Sequence, residues 1–521
     1  MALLLRAQSA GLAAVALGIS VFLSRILGLV RDKIISYYFG SGMESDVYFT
    51  AFVVPDFISY LLAGGYFSIT LVPLLSRRFL EDEDDAWRFF SAAVCWATLA
   101  ISLFCLLGWL FAPQLAKLVA PGFSGEKSLL LARYLRIILP AQIFFLPGAC
   151  FTAVLYCRKQ FTVPALTPLF YNGAIILGGL AGLALAPEQG MEGFCWGVLA
   201  GAFAGSFALP LWAVRAGGLR FTPRLAHPMM KTVLKLALPL MLGQSIVSLD
   251  EQFIRIFGSL AHEGSVSLLS YARRIMLVPV GVIAQAAGLA SFPFLAGLVA
   301  KGDKRRFEAS LNTTLQNALL VAFPVSLWMM VAAEPIMRLV FQQGSFTPKA
   351  AAQSGLLLAV MMASVVFWTI QQIMGRAYYA CQDTLTPALL GTLATVFTLG
   401  AYYYGAISLG PLGIAFAGAF GVALYTGLLC FVWWRRHGAG ALAGVATLAF
   451  IALCLCIPAK LAAGLTGRLL QSLFPEYSLA GAFVFICASG VVFCAVYLGL
   501  AQLLRPDLLA PLHALRNRLK K

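Results

Sequence analysis

Nine of the 37 Lys and Arg residues in this 521-residue chain lie in segments apolar enough to cross a membrane. A cation at the centre of a bilayer costs roughly 2.5–3.5 kcal/mol to insert, so such a side chain seldom faces lipid. Cations grouped in the spans of a large helical bundle therefore predict a water-filled cavity that binds an anion, which favours a transporter over a scaffold. The nine are Arg25, Arg31, Lys33, Arg133, Arg136, Arg255, Arg273, Arg274 and Lys460.

The first apolar segment carries three of these cations near one end. Arg25 and Asp32 are seven residues apart and share a helix face, and Arg31 lies roughly 120° round the helix from Arg25. One interpretation is that Arg31 and Lys33 extend to the headgroup layer while Arg25 pairs locally. The other is an anion site, which we favour because unpaired cations are unusual at the predicted outer end of a span.

Asp46 begins the second apolar segment, which continues through Pro55 to the glycines at 64–65. Proline and paired glycines within a span permit a bend, and bent helices commonly line cavities. Asp46 is expected either to pair with an Arg of the first span or to be solvated at the membrane interface.

A polar stripe along the seventh span includes an acid and a base one helical turn apart. Glu251 and Arg255 are four residues apart, and pairing lowers the cost of each charge in the membrane. Such a pair serves either an anion site or helix packing alone. Asp250 in the same span and Asp383 at the start of the eleventh are candidate cation ligands, and helix packing is an equally good interpretation of both.

The eighth span carries two adjacent cations and no acid. Ser267, Tyr271 and Arg274 share one helix face, and Arg273 lies beside it. Two such cations require a partner elsewhere or an anionic ligand. The spacing therefore predicts that these four residues line the anion site.

The elements that position these residues are apolar runs of about 20 residues or more, the length that crosses a bilayer as a helix. Hydrophobic residues make up 61% of the chain and charged residues 11%, whereas soluble domains have roughly 45–50% and 25%. The sequence predicts an all-α polytopic membrane protein with fourteen spans, at 11–38, 46–75, 87–116, 128–157, 163–185, 192–214, 231–259, 266–298, 309–333, 349–379, 386–405, 412–433, 441–464 and 479–505.

The positive charges outside the spans predict the orientation of the chain. The amino terminus, alternate loops and the carboxyl terminus carry 23 of the 37 Lys and Arg residues, whereas the intervening loops carry five. Short loops rich in Lys and Arg remain in the cytoplasm, so both termini are predicted to be cytoplasmic.

An internal repeat predicts how the spans are organised. The segment YCRKQFTVPAL at 156–166 resembles YACQDTLTPAL at 379–389, an offset of 223, and Pro55 recurs as Pro279 at an offset of 224. Six spans per repeat is an even number, so both halves have the same orientation in the membrane. Parallel repeats of this kind place a binding site between two lobes.

The repeat divides the chain into three predicted parts: an N-terminal lobe at 1–220, a C-terminal lobe at 221–437, and the last two spans with the tail at 438–521. Spans thirteen and fourteen have long stretches without charge. We expect them to form an apolar groove for a lipid tail, since burying each CH₂ contributes about 0.8 kcal/mol. Peripheral packing helices are the alternative interpretation.

Other chemistries find little support in the sequence. No Walker A motif is present, so ATP hydrolysis by this chain is not expected, and the four His residues lie in predicted loops or tails without metal-ligand spacing. The eleven Cys residues form no CxxC motif, and packing as small apolar side chains accounts for them. The formal net charge of +16 reflects basic loops beside a membrane rather than nucleic-acid binding.

Several segments resemble signatures of the MurJ (MviN) lipid II flippase family of the MOP exporter superfamily. They are SRILGLVRD at 24–32, FGSGMESD at 39–46, GYFSITLVP at 65–73, GSVSLLSYARRIM at 264–276 and YACQDTLTP at 379–387. The resemblance extends over all fourteen predicted spans, and its first block is quite specific to the family.

By this resemblance, Arg25, Arg31, Asp46 and Arg274 occupy the positions of the family's essential cavity residues. The resemblance implies a flippase of the bacterial cytoplasmic membrane that is not an enzyme and works by alternating access. Its cationic cavity would bind the diphosphate of lipid II or a similar undecaprenyl-linked substrate. No cofactor is implied beyond a coupling cation such as sodium or a proton. The chain departs from the family pattern in places, for example with Ser and Tyr at 59–60 where the family has a basic pair. A flippase with an altered substrate is therefore an alternative.

Two other functions remain open at this point. One is a related exporter of another oligosaccharide-lipid or of a drug, although an Arg-rich cavity disfavours cationic drugs. The other is a membrane-embedded glycosyl- or acyltransferase, which requires catalytic acids or His at the membrane face, and the sequence offers none that is evident.

Overall fold

The computed structural model describes residues 8–59, 66–236, 249–475 and 478–506. Within these ranges every regular element is helical, so the predicted all-α class is confirmed. π-helical segments at Ala202–Ala208 and Val280–Gln285 interrupt two of the longer helices. The α-helices are α1 (Ala10–Phe39), α2 (Met43–Thr50), α3 (Val53–Ile58), α4 (Tyr66–Glu81), α5 (Glu83–Leu110), α6 (Ala112–Val119), α7 (Glu126–Ile138), α8 (Gln142–Cys157), α9 (Thr162–Leu185), α10 (Gly190–Gly201), α11 (Leu209–Ala216), α12 (Leu249–Gly258), α13 (Ser265–Pro279), α14 (Ala286–Ala300), α15 (Lys304–Val331), α16 (Ala333–Phe341), α17 (Pro348–Met362), α18 (Ser364–Ala380), α19 (Leu385–Leu409), α20 (Pro411–His437), α21 (Val445–Gln471) and α22 (Leu479–Leu504).

Ten helical segments in the described ranges are long and apolar enough to cross a membrane. Helices α17 and α18, which meet at an angle of 41°, add an eleventh if they form one broken span. The first predicted span corresponds to the continuous helix α1, and the second is divided among α2, α3 and α4. Much of the seventh lies outside the described residues, so the count of fourteen stays a prediction.

The chain forms two compact units, Met1–Val266 and Ser267–Lys521. The boundary falls within α13, so the seventh predicted span belongs to the first unit, whereas the sequence places the lobe boundary at 220–221. Helices α21 and α22, which the sequence separates as a third part, belong to the second unit.

Glycines allow two helices of the first unit to pack backbone to backbone. A Cβ atom at Gly178 of α9 would lie 2.7 Å from the Cα of Gly197 in α10, and one at Gly182 would lie 2.7 Å from the Cα of Gly193. Small residues four apart on facing helices permit the close approach that drives helix association in membranes. This contact fixes α9, which carries one side of the polar cluster described below.

The last two helices pack against each other and against α15 in the second unit. Leu455, Cys456 and Ala459 of α21 are buried together with Phe493 of α22 and Leu327 of α15. The indole nitrogen of Trp328 donates a hydrogen bond to the hydroxyl of Ser489, 3.3 Å away. One face of each helix is thus occupied by packing, and an apolar groove for a lipid tail stays a prediction.

Candidate anion-binding site

A polar stripe on α1 faces α9. Its residues are Ser20, Ser24, Gly28 and Arg31, whose spacing of four, four and three places them on one helix face. The hydroxyl of Ser20 donates to the backbone carbonyl of Ala165 at the start of α9. The stripe therefore orients Arg31 toward the neighbouring helix of the same unit.

Arg31 is held by an acid next to it in sequence and by an amide from α9. Its Nε and Nη2 lie 3.0 and 2.9 Å from Oδ1 of Asp32, and its Nη1 lies 3.4 Å from Oδ1 of Asn172. The side chains of Arg31 and Asp32 are only 12% and 2% exposed. In this arrangement the guanidinium of Arg31 is a buried, neutralised cation rather than an open anion ligand.

Asn172 is itself fixed by two hydrogen bonds. Its Nδ2 donates to the hydroxyl of Ser24 at 3.2 Å and to the carbonyl of Pro168 at 3.1 Å. Gly28 faces this amide, because a Cβ at that position would lie 3.9 Å from Oδ1 of Asn172. The amide thus joins Ser24 and Arg31, two turns apart on α1, to α9.

Arg25 lies on a different face of α1 and is exposed, whereas Lys33 is half-buried. The two arginines of the first span thus lie on different faces of α1, as their spacing in the sequence predicts. Arg25 is exposed, whereas the guanidinium of Arg31 is held by Asp32 and Asn172.

Asp46 is buried, with 1% of its surface exposed, so it is not solvated at the membrane interface. Its Oδ2 accepts a hydrogen bond of 2.7 Å from the backbone amide of Gly264, in the turn before α13. Gly264 has φ +87°, and a Cβ there would lie 2.4 Å from the carbonyl oxygen of Ser41. Asp46 therefore helps to hold a turn whose backbone conformation only glycine adopts without strain.

Arg255 joins two carboxylates from different helices. Its Nη1 lies 2.6 Å from Oδ2 of Asp56 in α3, and its Nη2 lies 2.9 Å from Oε1 of Glu251, so the predicted pairing with Glu251 is present. Nη1 also donates to Oε1 of Gln252 at 3.2 Å. The guanidinium, 13% exposed, ties α12 to the second predicted span.

The end of α12 is tied to the first unit as well. The backbone amide of Gly122 donates to the hydroxyl of Ser259 at 3.3 Å, and Lys127 forms an ion pair of 2.8 Å with Glu263. Together with the Arg255 cluster, these bonds explain why the seventh predicted span belongs to the first unit.

The four predicted site residues of the eighth span have different environments. Ser267 and Tyr271 are fully buried, and the ring of Tyr271 packs against Phe341 and Phe346 at centroid distances of 5.0 and 5.4 Å. Arg273 and Arg274 are half-buried. Tyr271 thus contributes to an aromatic core of the second unit, and a role for these four residues in binding stays a prediction.

Of the two candidate cation ligands, Asp383 is the one whose side chain lies within the described residues. Asp383 forms an ion pair of 2.7 Å with Arg436, and its Oδ1 accepts a hydrogen bond of 2.9 Å from the backbone amide of Thr386. The side chain of Asp250 lies outside the described residues. Within the described residues, no group of three or more His, Cys, Asp or Glu side chains is placed to hold a metal ion.

The fourth predicted span has an ion pair and an aromatic contact of its own. Arg133 pairs with Glu192 of α10, Nη2 lying 2.9 Å from Oε2. The guanidinium of Arg136 is exposed and lies 5.2 Å from the centre of the Trp109 ring. Both contacts lie within the first unit, at the predicted outer end of the spans.

Sequence reasoning missed Asn172 and Asp56 as partners of the intramembrane arginines. Each had a signal: Asn172 is the one amide in a span without charged residues, and Asp56 follows Pro55 within a span. Gln142 was also missed, and its Oε1 accepts a hydrogen bond of 2.6 Å from Ser59.

Comparison with known proteins identifies relatives over most of the chain. The sequence model of a family described as "Lipid II flippase MurJ" matches residues 35–488. A protein of Vibrio cholerae described as "Probable lipid II flippase MurJ" is 28% identical over 408 residues, 74% of this chain and 77% of its own. The "Lipid II flippase MurJ" of Burkholderia cenocepacia is 26% identical over 430 residues, 80% of this chain and 82% of its own.

Solved structures share the fold. A structure described as "Lipid II flippase MurJ, inward closed conformation" matches with a TM-score of 0.78 at 23% identity, over 94% of this chain and all of its own. An inward-facing multidrug resistance MATE transporter of the MOP superfamily matches with a TM-score of 0.67 at 15% identity, over 84% of this chain and 98% of its own. At these identities the two matches establish the architecture alone.

Proposed function

This chain belongs to the MurJ family of lipid II flippases, and we propose that it moves lipid II from the cytoplasmic to the outer leaflet of the membrane by alternating access. The family match over residues 35–488 is the observation that carries the proposal. The proposed membrane is the bacterial cytoplasmic membrane, with both termini in the cytoplasm. The family consists of transporters rather than enzymes.

The diphosphate of the substrate requires cationic ligands within the membrane. In this proposal the cationic ligands are Arg25 and Arg31 of the first unit and Arg274 of the second. They bind the diphosphate through charge-assisted hydrogen bonds, which are about twice as strong as neutral ones. The exposure of Arg25 supports an early contact with the substrate. The half-buried Arg274 lies beside Arg273, so this part of α13 is strongly cationic.

Transport against a lipid gradient requires an energy source, and the chain has no nucleotide-binding motif. We propose that membrane potential or an ion gradient drives the cycle, with sodium or a proton as the coupling ion and Asp250 and Asp383 as candidate ligands. Flipping in proteoliposomes should then fall when the gradient and potential are collapsed with ionophores. An unchanged rate without either would disprove this part of the proposal.

Depletion of the protein in living cells tests the substrate directly. Lipid II is expected to accumulate in the cytoplasmic leaflet, and wild-type protein is expected to restore its appearance in the outer leaflet. The Arg25→Ala variant should fail to restore it, whereas Arg306→Ala, which removes an exposed cation at the start of α15, should succeed. If lipid II stays evenly distributed during depletion, the substrate is a different molecule.

A further inference from the structure

The connection between the sixth and seventh predicted spans is anchored from one end to the other, although it forms no helix of its own. Helix α11 ends at Ala216 and the next helix begins at residue 229. We call residues 217–229 the strap. At its start, the backbone carbonyl of Gly217 accepts a hydrogen bond of 2.6 Å from Nη1 of Arg158. Fixing an irregular segment costs conformational entropy at every residue, so a simple spacer is not expected to have anchors along its whole length.

Two side chains of α5 bind the backbone of the strap. The hydroxyl of Ser91 accepts a hydrogen bond of 3.1 Å from the backbone amide of Thr222. The indole nitrogen of Trp96 donates a hydrogen bond of 2.8 Å to the backbone carbonyl of Leu225. Because both bonds are made to peptide groups, they fix the path of the strap across α5 whatever side chains the strap carries.

Two carboxylates in the first turn of α5 bind side chains of the strap. Asp84 forms an ion pair of 2.6 Å with Arg220, and Oδ1 of Asp85 lies 3.2 Å from Nε2 of His227. Oδ2 of Asp85 lies 3.3 Å from Nη1 of Arg78 in α4. The carboxylate of Asp85 therefore joins the strap to two helices of the first unit.

His227 is the enclosed contact among these. Its side chain is 5% exposed, and its ring centre lies 5.2 Å from that of Phe89. Its Nδ1 is 3.3 Å from the backbone nitrogen of Met229. Since a backbone amide can only donate, Nδ1 is the acceptor and the ring hydrogen lies on Nε2, facing Asp85. Both ring nitrogens thus have fixed partners at the point where the next helix begins.

We propose that the strap stays fastened to α5 throughout the transport cycle, so that the cytoplasmic end of the seventh span moves with the first unit. This inference rests on the proposed function, because it concerns how the chain connects two spans while a transporter changes conformation. A released segment can extend by about 3.3–3.6 Å per residue, so an open strap gives the seventh span long slack, whereas a fastened one gives it none. The anchors are of three kinds, backbone hydrogen bonds, ion pairs and an enclosed ring, so the loss of one weakens the strap without releasing it.

Limited proteolysis of the full-length protein in lipid nanodiscs tests the fastening without reference to transport. Trypsin cuts after Arg220 and Arg224, and a segment must leave its anchors before a protease can bind it, so the cleavage rate reports the open fraction of the strap. Trp96→Phe removes one anchor and should raise this rate by about fivefold, the effect of one hydrogen bond. Trp109→Phe is the matched control, because both indoles belong to α5 and are 44% exposed, and it should leave the rate unchanged. Equal rates for the two variants overturn the role of Trp96 as an anchor.

An engineered disulfide tests whether the fastening lasts through the cycle. The hydroxyl of Ser91 and the amide of Thr222 are in contact, so Ser91→Cys with Thr222→Cys places two thiols within reach of one bond. After oxidation with copper phenanthroline, mass spectrometry distinguishes this bond from any formed by the eleven native Cys. The cross-linked protein should flip lipid II at the same rate as the same sample after reduction. Each single-cysteine variant, treated identically, controls for oxidation of the native thiols.

The outcomes separate this inference from the proposed function. Flipping that is lost on oxidation and restored on reduction overturns the permanent strap and leaves the proposed function standing. A disulfide that does not form in the folded protein overturns the inference as well, because the two positions are then not in contact. If neither the wild type nor the reduced sample flips lipid II, the proposed function is wrong, and the proteolysis of the two tryptophan variants decides whether the strap is fastened to α5.

Discussion

Lys159 and Gln382, 223 residues apart, adopt the same left-handed backbone conformation, with φ of 58° and 60°. They are the only non-glycine residues with positive φ in the described part of the chain. The hydrogen bonds around them correspond as well: the amide of Gln160 donates to Leu155 at 2.8 Å, and that of Asp383 donates to Tyr378 at 3.0 Å. The repeat seen in the sequence is therefore present in the backbone of these two turns.

Glycine substitution at these turns tests whether the conformation is strained. A left-handed conformation costs an L-residue roughly 1–2 kcal/mol, and glycine avoids most of this cost. We therefore expect Gln382→Gly to be more stable than Gln382→Ala by about 1 kcal/mol, with the same order at Lys159. Thermal unfolding in detergent measures the difference, and a more stable alanine variant at both sites would contradict it.

The sequence predicts the helices well and their polar partners poorly. The predicted span at 163–185 corresponds to α9, Thr162–Leu185. A long apolar run bounded by polar turns forms a helix in a membrane, because a helix satisfies its own backbone hydrogen bonds. The pairing of Glu251 with Arg255 also follows from local spacing. The contacts of Arg31 with Asn172 and of Arg255 with Asp56 join residues 141 and 199 positions apart. No local periodicity encodes such distant contacts, so only the folded chain reveals them.

Neutralising any of the three arginines of the candidate site should abolish flipping. Arg25→Ala, Arg31→Ala and Arg274→Ala should all insert normally, because removing a charge eases insertion. Arg31→Ala should also lower the melting temperature, since it removes the buried ion pair with Asp32. Lys should only partly restore flipping at each position, because it lacks the paired donors.

The measurement combines a flipping assay in proteoliposomes with thermal unfolding of the same samples. Arg306→Ala serves as the control for loss of a cation at an exposed position. Normal flipping by two of the three alanine variants would refute the assignment of these residues to the site.

The Arg255 cluster should stabilise the first unit through coupled contacts. Arg255→Gln leaves the carboxylates of Asp56 and Glu251 close together, and we expect a loss of about 2 kcal/mol in this partly buried setting. Asp56→Asn should cost less, and the double variant should cost less than the sum of the two changes. A double-mutant cycle of thermal stability provides the test, and strict additivity would show that the contact contributes nothing.

The turn at Asp383 should show a dependence of stability on pH. Burial acts to raise the pKa of Asp383, but hydrogen bonds from Thr386 and the ion pair with Arg436 outweigh it and hold the pKa below its usual range. The stabilisation is therefore complete above the unfolded-state pKa of about 3.9 and is lost as the pH falls through the lower folded value.

Asp383→Asn should accordingly destabilise the protein at pH 7, by about 0.5 kcal/mol for an ion pair this exposed. The difference from wild type should shrink as the pH falls below about 3.9 toward the lower folded pKa, because the carboxyl of the wild type becomes protonated while the asparagine is neutral throughout. Glu188→Gln, at an exposed acid in the turn before α10, is the matched control and should show no such dependence. A constant difference across this pH range would show that the carboxylate charge is not what stabilises the turn.

The last prediction concerns the polyprenyl tail of the substrate and the last two helices. A long hydrocarbon tail is best kept in apolar surroundings, since each buried CH₂ contributes about 0.8 kcal/mol, and α21 and α22 have no charged residues over most of their length. Ile451 is partly buried against the core of α15, α21 and α22, whereas its neighbour Phe450 is 67% exposed.

Ile451→Glu should therefore impair flipping of long-chain lipid II more than that of a short-chain analogue, because only the long tail requires the apolar path. Phe450→Glu controls for the added charge and should not discriminate between the two. Flipping assays with both chain lengths, after insertion is confirmed, provide the measurement. Equal impairment of the two substrates by Ile451→Glu would show that these helices serve packing and do not handle the tail.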